Sequence, residues 1–248
     1  MARFFRMYRF HLIQYMRNSY FIWLVITSTL SLLMLKYIGA TSQGKMLASQ
    51  DVIISGVFGM WTSAVTSAGI LHFQRFQGVL VYLVNSSNSS LVNLLALVSA
   101  PATFGLFAYP LSFLIAGLLN GFHFVELKPE YYIFILLFWL SAMAVTYFIA
   151  ELFLLTKNAF VYEELFVTPL MILSGLFSIN NSNIGFFERL GDFIPISFPV
   201  RILTGVVSFS YLSCFWWLLV LISWLVLAYL LFRGLIYKIR IQGEVEAM

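Results

Sequence analysis

Tyr211-Leu212-Ser213-Cys214-Phe215-Trp216-Trp217-Leu218-Leu219-Val220-Leu221-Ile222-Ser223-Trp224-Leu225-Val226-Leu227-Ala228-Tyr229-Leu230-Leu231-Phe232 contains no charged side chain. A bilayer core of about 30 Å is crossed by a helix of about 20 apolar residues, and this run supplies them. Lipid offers no hydrogen bonds, so a spanning backbone is either helical or part of a closed barrel. The run shows no period-two alternation, which excludes the barrel strand. Working outward, five more stretches qualify, at about 20–38, 52–71, 91–119, 131–155 and 160–179. With 211–232 they predict an all-α integral membrane protein of six spans in one domain, followed by a tail over 233–248. The third span is longer than a crossing needs and carries Pro101 and Pro110; the fifth carries Pro169. The first lacks a small-residue cleavage site and is too long for a secretory leader, so it reads as a retained helix.

Composition agrees. Hydrophobic residues make up 61% of the 248 and charged residues only 10%, with a mean hydropathy of +0.93. A water-soluble domain needs about a quarter of its residues charged. The net charge of +4 comes from 14 basic residues scattered among Leu, Ile and Phe, which makes no stripe for nucleic acid. Cys214 is the single cysteine, so no intrachain disulfide or cysteine-based metal site can form. His11, His72 and His123 lie far apart, and no metal site is expected.

The basic residues instead set orientation. With the N-terminus in the cytoplasm, Arg3, Arg6, Arg9, Arg17, Arg75, Lys157, Arg233, Lys238 and Arg240 fall inside, and Lys36, Lys45, Lys128, Arg189 and Arg201 outside. The positive-inside rule therefore places both termini in the cytoplasm. Residues 1–18 form a lead to the first span. On a helix Phe4, Phe5, Tyr8, Leu12, Tyr15 and Met16 share one face, and Arg3, Arg6, Arg9, Gln14 and Arg17 much of the other. That describes an interfacial helix with arginines at anionic lipid headgroups; a plain basic topogenic lead is the other reading.

Segment 73–90, Phe73-Gln74-Arg75-Phe76-Gln77-Gly78-Val79-Leu80-Val81-Tyr82-Leu83-Val84 after His72, with the polar turn Asn85-Ser86-Ser87-Asn88-Ser89-Ser90, predicts a mainly apolar helix on the cytoplasmic side. Apolar surface there is a candidate partner site, and a tilted seventh membrane segment is the alternative. Segment 180–210 mixes Glu188, Arg189, Asp192 and Arg201 with Phe186, Phe187, Phe193 and Phe198, and carries Pro195 and Pro199. Short interfacial or re-entrant helices on the outer side fit it better than a free loop. Glu151 is the one carboxylate inside a span, where an acid is functional by default; pairing with Lys157 is the structural alternative.

Gly39-Ala40-Thr41-Ser42-Gln43-Gly44-Lys45-Met46 nearly spells a phosphate-binding loop. Met46 stands where Ser or Thr would hold magnesium, however, and a membrane span precedes it instead of a strand. Gly117 and Gly121 make a small-xxx-small step of the kind that lets helices approach closely. No paired carboxylates or Ser-His-Asp grouping predicts a catalytic centre.

Two motifs carry a family likeness. Arg75-x-x-Gly78-x-Leu80-x-x-Leu83 with its polar turn is similar to the cytoplasmic coupling element of type-2 ATP-binding-cassette exporter permeases, usually Glu-Arg, Gly-Thr-Leu-Glu and a Ser-Pro or Thr-Pro turn. Pro169-Leu170-x-x-x-Ser174-Gly175-x-Phe177, with Pro195, Pro199 and Arg201 downstream, resembles that family's fifth-span Ser-Gly step and outer re-entrant hairpin. Gln74, Val79, Val81 and Ser87 depart from the pattern; the missing Glu falls where a partner would be met. The likeness covers nearly the whole chain.

The resemblance implies a multi-pass permease in a bacterial cell membrane, paired with a second permease, identical or related. It implies two copies of a separate ATPase subunit holding ATP and Mg, and no enzyme activity in this chain. Arg75, Gly78, Leu80 and Leu83 would couple to the ATPase, braced by the interfacial helix with Arg3, Arg6, Arg9 and Arg17. Thr62, Thr66, Thr168, Ser174, Gly175, Phe177, Pro199 and Arg201 would line the pathway and outer gate. The charge-poor interior suits an amphipathic or hydrophobic cargo such as a drug, peptide antibiotic or lipid-like molecule. A self-contained carrier or channel using Glu151 is the alternative. An intramembrane enzyme would need acids at the membrane surface, for which Glu163-Glu164 with Lys157 is the nearest approach.

Overall fold

Helices alone carry the hydrophobic pattern among the residues that the computed structural model describes, which are 2–85, 90–121, 130–155, 168–176 and 189–242. In chain order these are α1 (Ala2–Met16), α2 (Ser19–Ser42), α3 (Ser49–Phe76), α4 (Leu80–Asn85), α5 (Ser90–Ala102), α6 (Ala108–Asn120), α7 (Glu130–Leu155), α8 (Ser197–Leu203) and α9 (Tyr211–Gln242). A 3₁₀ turn over Thr103–Phe107 joins α5 to α6, and 168–173 and 189–191 are also helical.

Five stretches are long and apolar enough to cross a membrane: Ser19–Ser42, Ser49–Phe76, Ser90–Asn120, Glu130–Leu155 and Tyr211–Tyr237. They coincide with five of the six expected spans. The remaining one, at 160–179, falls largely on 156–167 and 177–188, outside the described residues.

The bundle is organised around α3, which packs on α2, α5, α6 and α7. Lipid gives no hydrophobic drive to helix association, so close van der Waals approach at small residues takes over. A Cβ on Gly56 would stand 2.9 Å from Ser112 Oγ and 3.1 Å from Tyr109 Cα on α6. One on Gly59 would run into Thr29 of α2 and stand 2.9 Å from Ala108 Cβ. Between these contacts Trp61 is wholly buried, and Thr146 on α7 donates to the Ala64 carbonyl at 3.1 Å. Of the sequence pair Gly117 and Gly121, the first is buried in α6 and the second does not act this way. Gly121 takes φ +82° just past the end of α6 and has open space around it.

Pro101 removes an amide donor from the third span, and the chain tightens into the 3₁₀ turn directly afterwards. There Gly105 lies against α3, where a Cβ would meet Met60 O at 3.0 Å. Ser63 Oγ of α3 donates to the Pro101 carbonyl at 3.4 Å, so the break is covered by α3.

α1 lies along α5. Tyr8 Oη and Thr103 Oγ1 are hydrogen-bonded at 2.7 Å, and Tyr15 packs edge-on against Phe21 at 4.9 Å between ring centroids. The inward stripe is Phe4, Met7, Tyr8, His11, Leu12 and Tyr15. Phe5 and Met16, expected on the apolar face of an interfacial helix, do not pack on the bundle and are 63% and 56% exposed. Met7, Phe10 and Ile13 fall among the polar positions, so the sequence does not choose which apolar residues pack inward; the groove of α5 does. Arg3, Arg6, Arg9 and Arg17 are exposed.

Candidate functional site

The end of α3 closes in a Schellman turn. Val79 N–H donates to the Gln74 carbonyl at 3.0 Å and Gly78 N–H to that of Arg75 at 2.9 Å, with Gly78 at φ +71°. Glycine is suited there because a side chain in the left-handed region is strained. The turn throws the chain into α4, whose Leu80 and Val84 are buried and whose Leu83 packs on the core. Arg75 Nη1 donates to the Leu154 carbonyl in the last turn of α7 at 2.8 Å.

The coupling residues named from sequence therefore separate by role. Gly78 makes the turn, Arg75 straps α3 to α7, and Leu80 and Leu83 anchor α4 inward. The surface offered outward is aromatic instead: Phe76 is 86% exposed and Tyr82 77%, with Phe73 and Val79 beside them. The signal was available, since a short helix that buries Leu80, Leu83 and Val84 must turn Tyr82 away.

Beside this turn is a hollow of about 800 Å³ between the α1–α2 junction and the last turns of α3. Arg17, Asn18, Tyr20, Thr66, Phe73 and Gln77 line it. Asn18 caps α2 by accepting from Tyr20 N–H at 3.1 Å. Thr62, one turn from Thr66, donates to the Phe58 carbonyl at 2.5 Å. Burial pushes the Tyr15 phenol up to about 12 despite a hydrogen bond to Gln74, so it stays protonated. Burial also holds His11 below its ordinary 6.5, with the Gln14 hydrogen bond acting the other way.

The other expected pathway residues gather elsewhere. Thr168 is exposed, whereas Ser174 is buried and donates to the Met171 carbonyl at 2.7 Å. Gly175, at φ +85°, ends the turn, and Phe177 lies outside the described residues. Gly191 nests against the Leu173 carbonyl, where a Cβ would also stand 2.7 Å from Arg201 Nη2. Arg201 donates to Asp192 Oδ1 at 2.5 Å, and Pro199 is buried in α8. Three indoles of α9 hold this segment. Trp216 donates to the Asp192 carbonyl at 3.2 Å, Trp224 to that of Phe193 at 2.9 Å, and Trp217 to Pro195 O at 3.0 Å. Thr62 and Thr66 on α3 thus form one group, and Ser174, Gly175, Pro199 and Arg201 another.

Glu151 of α7 is only 7% exposed. It lines a hollow of about 180 Å³ between α5, α7 and α9. Its Oε2 is buried without a hydrogen-bond partner among the described residues. Lys157, Glu163 and Glu164 lie outside the described residues. Among the described residues no group of three His, Cys, Asp or Glu side chains could hold a metal ion. The run from Gly39 to Lys45 is the last turn of α2 and its cap: Lys45 N–H returns to the Ala40 carbonyl at 2.9 Å, with Gly44 at φ +66°.

No known protein family, curated protein or solved structure matches this chain.

Proposed function

We propose that the chain is the permease half of an ATP-driven exporter, of the kind its motifs resemble. One observation carries the reading: the end of α3 and the short helix α4 after it display Phe76 and Tyr82 outward, while Arg75 ties the same turn to α7. A partner that pushed on this surface would move α3 and α7 together, which is what a coupling element has to do. On this reading the six-span arrangement holds, with 160–179 as the fifth, both termini are cytoplasmic, and a second permease subunit completes the path. ATP and Mg sit on the separate ATPase, and this chain catalyses no reaction itself. The exposed apolar sides of α2 and α9 are available for lipid or the second subunit. The cargo is amphipathic or hydrophobic, and it leaves the cell.

Purification of the tagged chain in mild detergent tests the reading through what accompanies it. A stoichiometric soluble ATPase supports the exporter; a lone oligomer with no ATPase overturns it. In that event a self-contained carrier becomes the better reading, because Glu151 is a buried acid with an unmet oxygen inside a span.

A further inference from the structure

Two hollows on the α7–α9 side of the bundle share Tyr147 and Leu225 as walls. The inner one, about 180 Å³, is bounded by Leu94 and Val98 of α5, Glu151 of α7, and Ala228 and Phe232 of α9. The outer one, about 320 Å³, is bounded by Phe4 of α1, Trp139 and Met143 of α7, and Leu221 of α9. Side by side across Tyr147 and Leu225, they offer a candidate groove with mainly apolar walls and a carboxyl group in the inner part. Glu151 and Trp139 are about 18 Å apart along α7 at the helical rise.

A carboxylate removed from water costs several kcal/mol unless a charge or donor meets it; the Phe232 backbone hydrogen-bonds the Glu151 carboxyl group, while Oε2 has no partner among the described residues. Among the described residues no Lys, Arg or His lines the inner hollow. A ligand that brings its own donor would meet Oε2 from within the hollow. A bare metal ion fits poorly, because a single carboxylate supplies too few ligands and the walls supply no others. A cation that carries its own apolar body fits well: its N–H groups meet the oxygen while its chain covers Tyr147, Leu225 and Trp139.

We infer that this groove binds a single-chain alkylammonium, with the ammonium on Glu151 and the alkyl chain running past Leu225 toward Trp139. That this ligand is cargo rests on the permease reading; that it binds does not. Two sources share the chemistry, a free amphiphilic amine and the ammonium headgroup of a bilayer lipid, and the test separates them.

The full-length chain, without ATPase, is placed in phosphatidylcholine nanodiscs and titrated with dodecylamine, dodecanol and dodecanoate, following tryptophan fluorescence. Saturable binding of the amine is expected, with at least tenfold weaker binding of the alcohol and the acid. Glu151→Gln keeps the shape and removes the charge, and should weaken the amine at least tenfold while leaving the alcohol unchanged. Leu225→Trp, at a half-exposed wall position, should block the groove without touching the charge. Equal binding of amine and alcohol overturns the inference, as does unchanged amine affinity in either variant when its melting temperature matches the parent. Discs that also contain phosphatidylethanolamine settle the source: loss of amine binding there assigns the site to the lipid headgroup, and unchanged binding to a free amphiphile. The ATPase pull-down stands apart from all of these readings, so either idea can fail alone.

Discussion

Arg75 on α3 donates a 2.8 Å hydrogen bond to the carbonyl oxygen of Leu154, in the final turn of α7. A guanidinium donating to a backbone carbonyl makes a charge-assisted hydrogen bond, stronger than a neutral one. The guanidinium fixes the end of α3 to α7 in this way. Arg75→Ala is expected to lower stability by about 1–2 kcal/mol, the order of a single charge-assisted hydrogen bond. Arg75→Glu should cost more, because a carboxylate then faces the Leu154 carbonyl oxygen, and Arg75→Lys less. Thermal unfolding of the three variants in one detergent gives the order; an unchanged midpoint for Arg75→Glu would remove the strap.

Phe76 and Tyr82 have the opposite profile. With 86% and 77% of their surface exposed, they contribute little to the fold of this chain. Phe76→Glu combined with Tyr82→Glu should leave the melting temperature within a degree or two, since exposed substitutions shift stability by about 0.5 kcal/mol or less. The same double variant should lose the co-purifying ATPase. Full ATPase recovery with the charged pair would show that the docking surface lies elsewhere.

The spans were legible because crossing a bilayer is a demand on length and apolarity, and both are written along the chain. Glu151 stood out for the same reason, as a carboxylate where lipid-facing sequence forbids one. The strap from Arg75 to Leu154 was not legible, because the two residues are 79 positions apart and nothing local marks a carbonyl as an acceptor. The buried face of α1 escaped because Met7, Phe10 and Ile13 spread apolar surface around the helix, leaving α5 to choose the stripe. The small-residue contact was sought at Gly117 and Gly121, where the four-residue spacing invited it. Gly121 lies past the helix end in open space, and a close contact of this kind forms at Gly56 and Gly59, one residue closer in spacing, which serves two different neighbours at once.

That double contact is open to a coupled test. A methyl on Gly59 would collide with Thr29 on α2, and Ala108 on α6 also stands close. Gly59→Ala should therefore destabilise by about 1–3 kcal/mol, as overpacking of a tight interface does. Adding Thr29→Ala removes the hydroxyl in the way and should recover part of the loss, leaving only the strain against Ala108. A double-mutant cycle measured by thermal unfolding reads the coupling directly. Simple additivity of the two changes would mean that α2 and α3 do not meet at this point.

His11 gives α1 a dependence on pH. The imidazole is buried in the groove of α5, which holds its pKa below the ordinary 6.5, and the Gln14 hydrogen bond only partly offsets this. When α1 detaches, the side chain regains its ordinary value and binds a proton more readily. The detached state therefore takes up more protons, and docking is fully favoured above about pH 6.5 and weakens as pH falls through that value toward the lower, docked pKa. Tyr15, pushed up to about 12, takes no part in this range. Hydrogen–deuterium exchange, corrected for its intrinsic pH dependence, should show the α1 amides losing protection between about pH 7 and 5. In His11→Phe the same amides should keep constant protection, because the apolar ring fills the site and cannot take up a proton. Equal loss of protection in both proteins would place the titrating group elsewhere than on His11.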